Sequence, residues 1–153
     1  MRVISEQGLL LLGCGKMGSA LLKGWIEAGV PVGSIWINDP APSDWVKSLG
    51  VQLNVGLPAA PAVVLIAVKP QIMQAALPSL RLLGDGKTLF VSVAAGVQLA
   101  EFQAILGART PGVRVMPNTP AAVGQGISAL IGNSNATRDH LALTERLMAS
   151  VGQ

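Results

Sequence analysis

The sequence predicts a doubly wound α/β fold, in which a mostly parallel, twisted sheet carries helices on both faces. Three observations lead there. Hydrophobic residues make up 50% of the chain and charged residues 12%, a balance that suits strands buried on both faces and excludes a disordered chain. Short apolar runs alternate with segments of helical period, the pattern of repeated strand, helix, strand crossovers. The 153 residues suffice for one domain with a substantial core, and residues 1–153 are read as that single unit.

The elements follow in order. "GLLLLG" (8–13) is an apolar run closed by glycine and reads as a buried strand. Behind it Met17, Ala20, Leu21, Gly24, Trp25 and Ala28 recur on one helical face, and Gly29 suits the position just after the helix. "SIWIN" (34–38) is a second strand, and "SDWVKSLG" (43–50) a short helix capped by Ser43 and stopped by Gly50. "AVVLIAV" (62–68) is a third strand, followed by a helix from Pro70 that Pro78 must kink or end. "TLFVSVA" (88–94) and "VRVM" (113–116) are strands on either side of a helix, "LAEFQAIL" (99–106), which Gly107 stops. "ISALIG" (127–132) is a further strand and 136–151 a closing helix.

Composition narrows the function. No apolar stretch approaches the ~20 residues of a membrane span, and the N-terminus lacks the basic and apolar regions of a signal peptide. A soluble, cytoplasmic protein without membrane partners is expected. A single cysteine, Cys14, and a single histidine, His140, stand far apart, so neither an internal disulfide nor a metal site is expected. The net charge of +3 is spread along the chain and aromatics are 3%, which offers nucleic acid no basic face or stacking platform. His140 falls on a solvated helix face, and no acid/base pair stands out as catalytic.

Gly13-Cys14-Gly15-Lys16-Met17-Gly18 forms a GxGxxG turn between the first strand and the helix behind it. Gly13 permits the tight turn, Gly15 lets backbone approach a pyrophosphate, and Gly18 lets helix and strand pack closely. The helix N-terminus then offers unpaired N–H groups to the anion. In this setting the pattern marks a Rossmann-type dinucleotide site, with Cys14 filling a variable slot as a small apolar group. About twenty residues on, "INDP" (37–40) brings Asn38 and Asp39 to the end of the second strand, where a carboxylate accepts hydrogen bonds from both ribose hydroxyls. No arginine accompanies Asp39 to hold a 2′-phosphate, although Lys47 is within reach from the next helix. "AVKP" (67–70) and "SVAAG" (92–96) end two further strands, so Lys69 and the backbone of Ala67 and Val68 border the nicotinamide half. Each feature also admits a purely structural role: a tight glycine turn, a capping Asp39 before Pro40, a solvent-facing Lys69.

Taken together, "LLGCGKMGSALLKG", "AVKP", "VSVAAGV" and "MPNTPAAVGQGISAL" resemble the N-terminal domain of the pyrroline-5-carboxylate reductase family. The likeness runs in order along nearly the whole chain, and the 116–130 block is its most specific part. The resemblance implies hydride transfer from NADPH or NADH to the C=N carbon of 1-pyrroline-5-carboxylate, giving L-proline, with rate supplied largely by proximity and orientation. It implies a phosphate-binding turn at Leu12 to Met17, a ribose side at Asp39 and Asn54, and nicotinamide-side backbone at Ala67, Val68, Lys69, Pro70, Val93, Ala94 and Ala95. Asn118 and Thr119 would sit at the mouth of the nicotinamide pocket, offering hydrogen bonds without a fixed charge, or would shape a rigid turn between two prolines.

Two departures qualify the resemblance. Many relatives carry a small hydroxyl residue where this chain has Asp39, and a carboxylate there would repel a 2′-phosphate, which tilts the expectation toward NADH. The family also continues into a helical C-terminal domain that builds a homo-oligomer and completes the substrate site. These residues hold no counterpart, so the chain is expected to bind dinucleotide and to turn over poorly by itself. Another small dehydrogenase and a non-catalytic dinucleotide-binding module are the competing readings.

Overall fold

The computed structural model describes residues 2–68, 72, 75–84, 86–93, 99–117 and 127–149. Among them the strands are β1 (Leu9–Leu12), β2 (Ile35–Asn38), β3 (Gln52–Leu53), β4 (Val63–Ile66), β5 (Leu89–Ser92), β6 (Gly112–Pro117) and β7 (Ile127–Gly132). They form one sheet in the order β3-β2-β1-β4-β5-β6-β7. Neighbours pair in parallel except β6 and β7, which are antiparallel. The helices are α1 (Arg2–Gln7), α2 (Lys16–Glu27), α3 (Asp44–Lys47), α4 (Leu99–Leu106) and α5 (Arg138–Met148). Turns of 3-10 helix cover Val32–Ser34 and Leu77–Leu83.

Side chains of successive strand residues point to opposite faces, so runs that are apolar throughout build two cores. Leu9, Leu11, Ile35, Ile37, Val63 and Leu65 pack on one face with Ile4 of α1, Leu21, Leu22 and Trp25 of α2, and Leu147 and Met148 of α5. Leu10, Leu12, Val64, Ile66 and Phe90 pack on the other with Leu77, Leu80 and Leu83 of the 3-10 segment and Phe102 and Leu106 of α4. Each of these side chains contributes about 1.5–3 kcal/mol by leaving water. The expected two-faced, mostly parallel sheet is therefore what forms.

Helix ends follow local chemistry. Ser43 caps α3 by accepting a hydrogen bond from the Val46 amide, as its position before the helix predicted. Past α2, Gly29 takes a left-handed conformation (φ +97). Its amide donates to Ile26 and that of Val30 to Trp25, both at 3.0 Å, the double bond that closes a helix at glycine. Trp25 is also tied to α5, its buried indole N–H donating to the Leu147 carbonyl at 2.9 Å.

Three features differ from the sequence reading. Residues 2–7 form a short helix and 52–53 a two-residue strand, both below the length at which periodicity is visible. The 127–132 strand runs against its neighbour, a direction that the apolar pattern does not encode. Around Pro78 the chain is 3-10 helix, in keeping with a proline expected to kink or end the helix there; it stands in the first turn, where its missing N–H removes no bond. The helix expected from Pro70 begins outside the described residues.

α5 starts with a reciprocal cap. The His140 amide donates to Thr137 Oγ1 at 3.2 Å, and the Thr137 amide donates to His140 Nδ1 at 3.0 Å. His140 is thus a half-exposed capping residue, in keeping with the expected helical position. Partial burial lowers its pKa below the ordinary 6.5, against a smaller upward pull from Asp139. Because folding depresses this pKa, the cap contributes in full above 6.5 and is lost as pH falls through the lower folded value. With a single histidine in the chain, the urea midpoint should decline on acidification from about pH 7.5 to about pH 5.5. A His140→Gln variant, which keeps an acceptor at that position, should show a flat profile over the same range. An equally steep profile in the variant would contradict the assignment.

Candidate functional site

The register places Leu12 beside both Asn38 and Ile66, and Ile66 beside Ser92, so four adjacent strands end in one row. β2 and β3 lie on one side of β1, and β4 to β7 on the other. The winding therefore reverses at β1, and the crevice outside the carboxyl ends of β1 and β4 is the switch point where ligands bind in such sheets.

The glycine turn fills that crevice. Gly13 has φ +86, and a Cβ there would stand 2.5 Å from Val68 Cγ1 and 3.3 Å from the Ala67 carbonyl oxygen. A Cβ on Gly18 would stand 2.8 Å from the Gly13 carbonyl oxygen. Both glycines are required by packing. Gly15 is different, because a Cβ there meets nothing within 4 Å. It is the N-cap of α2 and gives that helix no side-chain cap, which leaves first-turn amides facing outward for an anion.

Two of the amides expected to face the diphosphate are committed elsewhere. Gly13 N–H donates to the Asn38 carbonyl at 2.8 Å, and Cys14 N–H donates to Asp39 Oδ2 at 2.8 Å. The donors for an anion therefore begin at Gly15 and continue through the backbone of Lys16, Met17 and Gly18. Ser19, which the sequence reading did not single out, donates from Oγ to the Cys14 carbonyl at 3.2 Å and lies 3.6 Å from Cys14 Sγ. Its signal was a hydroxyl directly after the third glycine. Burial raises the Cys14 pKa; the Ser19 contact opposes this, and the Asp39 charge adds to the rise. Cys14 is a protonated filler.

Asp39 is the polar centre of the corner. Its Oδ2 accepts from Cys14 and its Oδ1 from the Ala41 amide at 2.9 Å. An ionised carboxylate has about four acceptor directions, so about two are left, as many as a ribose has hydroxyls to offer. Asn54 brackets the Asp39 peptide, its Oδ1 accepting from Asp39 N–H at 2.8 Å and its Nδ2 donating to the Asp39 carbonyl at 2.7 Å. Lys47 lies 3.9 Å from Asp44 on the surface, an exposed pair within α3. Asn38 Oδ1 is buried and, among the described residues, has no hydrogen-bond partner.

On the β4 side, Ala67 N–H donates to Leu12 at 2.9 Å and Val93 N–H to Ile66 at 3.1 Å, which carries the ladder to the rim. Ala67, Val68 and Val93 are half-buried there. Lys69, Pro70, Ala94, Ala95, Asn118 and Thr119 lie outside the described residues. The chain enters and leaves the 118–126 segment at Pro117 and Ile127, which pair across the β6–β7 ladder. Among the described residues no group of three His, Cys, Asp or Glu is placed to hold a metal, and no helix is long and apolar enough to cross a membrane.

Sheet order and glycine turn together define the Rossmann-type class of dinucleotide-binding α/β domains. The chain belongs to the family described as "NADP oxidoreductase coenzyme F420-dependent", whose model matches residues 9–96. Among curated proteins it is similar to pyrroline-5-carboxylate reductase of Haemophilus influenzae, 33% identical over 95% of this chain and 55% of the relative. The enzyme of the same name from Pseudomonas aeruginosa is 34% identical over 97% of this chain and 57% of the relative. The chain thus spans about half the length of the curated relatives it matches. Among solved structures, a pyrroline-5-carboxylate reductase from Coxiella burnetii superposes with a TM-score of 0.86 at 29% identity, covering 95% of this chain and 57% of the other. A Plasmodium falciparum pyrroline carboxylate reductase with NADP bound has the same fold, with a TM-score of 0.79 at 24% identity over 97% of this chain and 56% of the other.

The glycine geometry sorts packing from binding. Gly13→Ala should destabilise by about 2 kcal/mol or more, from its left-handed backbone and the contact with Val68. Gly15→Ala should change stability by less than about 1 kcal/mol. Urea unfolding of the two variants measures the contrast, and comparable losses would contradict it.

Proposed function

We propose that these residues bind a reduced nicotinamide dinucleotide and present it for reduction of the C=N bond of 1-pyrroline-5-carboxylate to L-proline. The observation that carries the dinucleotide is the corner itself. An uncapped helix start and a side-chain-free Gly15 stand beside a carboxylate that is already hydrogen-bonded to the glycine turn. Identity of 33–34% to pyrroline-5-carboxylate reductases over nearly the whole chain supports the imine as substrate. The bound coenzyme supplies the hydride. The chain's own residues fix its position: amides from Gly15 to Gly18 hold the diphosphate, Asp39 the adenosine ribose, and the backbone at Ala67, Val68 and Val93 the nicotinamide side.

Lys69, Pro70, Ala94, Ala95 and Asn118 belong to the same proposed site on the likeness alone. Recognition of the substrate carboxylate, proton donation and self-association are assigned to the helical region that the family pattern places after this domain. Asp39 supports NADH over NADPH. A 2′-phosphate close to its carboxylate meets like charge, worth about 1 kcal/mol at 4 Å in bulk water and about 4 kcal/mol near a protein surface.

Titration of the chain with both coenzymes should give a dissociation constant for NADH at least about tenfold below that for NADPH, and Asp39→Asn should narrow the gap. Gly15→Ala, which leaves packing intact, should weaken both coenzymes at least about tenfold by obstructing the diphosphate. Unchanged binding in Gly15→Ala would remove the turn from the site. Dinucleotide binding without imine reduction by a chain that includes the family's helical region would leave a binding module and no reductase.

A further inference from the structure

We infer that a groove at the amino ends of the strands is a second binding site, one that takes an acyclic α-amino dicarboxylate such as glutamate. α5 lines it with Asp139, His140, Leu143 and Arg146, and α1 with Val3. Ala62, just before β4, and Lys87, just before β5, complete the lining used here. β4 runs parallel to β1, and the glycine turn follows the carboxyl end of β1, so the groove lies at the opposite pole and is independent of the dinucleotide reading. Its volume of about 520 Å³ falls within the range of about 300–1,000 Å³ usual for small-molecule sites.

The lining carries two cations and one carboxylate. Among the described residues neither Lys87 nor Arg146 has an ion pair or a hydrogen bond, with Asp139 or with any other group. Asp139 and Arg146 stand in the first and last turns of α5, where the helix dipole favours each sign. Lys87 belongs to no helix, so its place in the groove has no such explanation. The long stems of Lys87 and Arg146 give both charges reach across the opening. His140 adds a neutral donor: its Nδ1 accepts from the Thr137 amide, so the proton of the uncharged ring sits on Nε2. Val3, Ala62 and Leu143, all packed into one of the two cores, supply an apolar part. A ligand that balances this lining offers two carboxylates, one ammonium and a short hydrocarbon chain. A simple dianion leaves Asp139 opposed, and a zwitterion with a single carboxylate leaves one cation unmatched.

With one histidine in the chain, the His140 ring resonance reports on the groove without ambiguity. At about pH 7.5, where the ring is neutral, and at constant ionic strength, L-glutamate should shift it saturably with a dissociation constant at or below about 1 mM. Glutarate, which lacks the ammonium, should bind at least about fivefold more weakly, and Asp139→Asn should erase that difference. Lys87→Gln and Arg146→Gln should each weaken L-glutamate at least about fivefold. Both side chains are exposed, so the urea midpoints should stay unchanged and the weakening reports the site. Absence of a saturable shift, undiminished binding in either glutamine variant, or a response confined to the glycine-turn amides would overturn the site. Equal binding of glutarate and L-glutamate by the unaltered chain, or an equal response to inorganic phosphate, would overturn the ligand class.

Discussion

β1 is enclosed on all sides, with β2 and β4 along its edges and an apolar layer on each face. A strand so placed releases its chain only at its ends, and the carboxyl end is crowded by Ala67, Val68 and the start of α2. Gly13 and Gly18 make that exit possible, the first by its left-handed turn and the second by letting the helix pass against the Gly13 carbonyl. The position of every other polar group at this pole follows from this one exit. Asp39 reaches the turn because β2 ends level with β1, and Ser19 reaches it because α2 begins there.

Charge at the corner is kept simple. Burial holds the Cys14 thiol protonated, and the neighbouring Asp39 carboxylate reinforces that against the Ser19 contact. One anion therefore stands beside the turn, and it is spread over hydrogen bonds to the Cys14 and Ala41 amides. A second negative group arriving from solvent meets the helix start at Gly15 to Gly18, where the dipole and the outward amides favour it. The helix start and the Asp39 carboxylate are separated by the turn between them, the first on the α2 side and the second on the β2 side.

Much of this was legible in the sequence because it depends on short-range chemistry. Leu99–Leu106 is a helix with the bounds its apolar spacing and Gly107 set, Ser43 caps as its position requires, and β1, β2, β4, β5 and β7 fall within the apolar runs, while β6 extends one residue past its run at each end. The glycines at 13 and 18 do what their spacing implied, because a Cβ at either would collide with the backbone or side chain beside it. What was not legible joins distant residues. The Cys14–Asp39 bond spans 25 residues and the Asn54 clamp 15, and neither leaves a periodic trace. Short elements such as α1 and β3 exist because tertiary neighbours complete them. α1, for instance, places Ile4 in a core assembled from the rest of the chain.

The reversal of β7 has a consequence for the polar segment between the two prolines. A parallel partner for β6 would have required a crossover of a dozen or more residues, carrying the chain back to the far end of the sheet. With β7 antiparallel, Pro117 and Ile127 stand side by side, at the pole of the sheet where β1 and β4 also end. The entropy of bringing those ends together is met by the ladder itself, and lengthening the stretch adds only slowly to that cost. Pro117 and Ile127 are therefore held side by side by the ladder, whatever the number of residues that joins them.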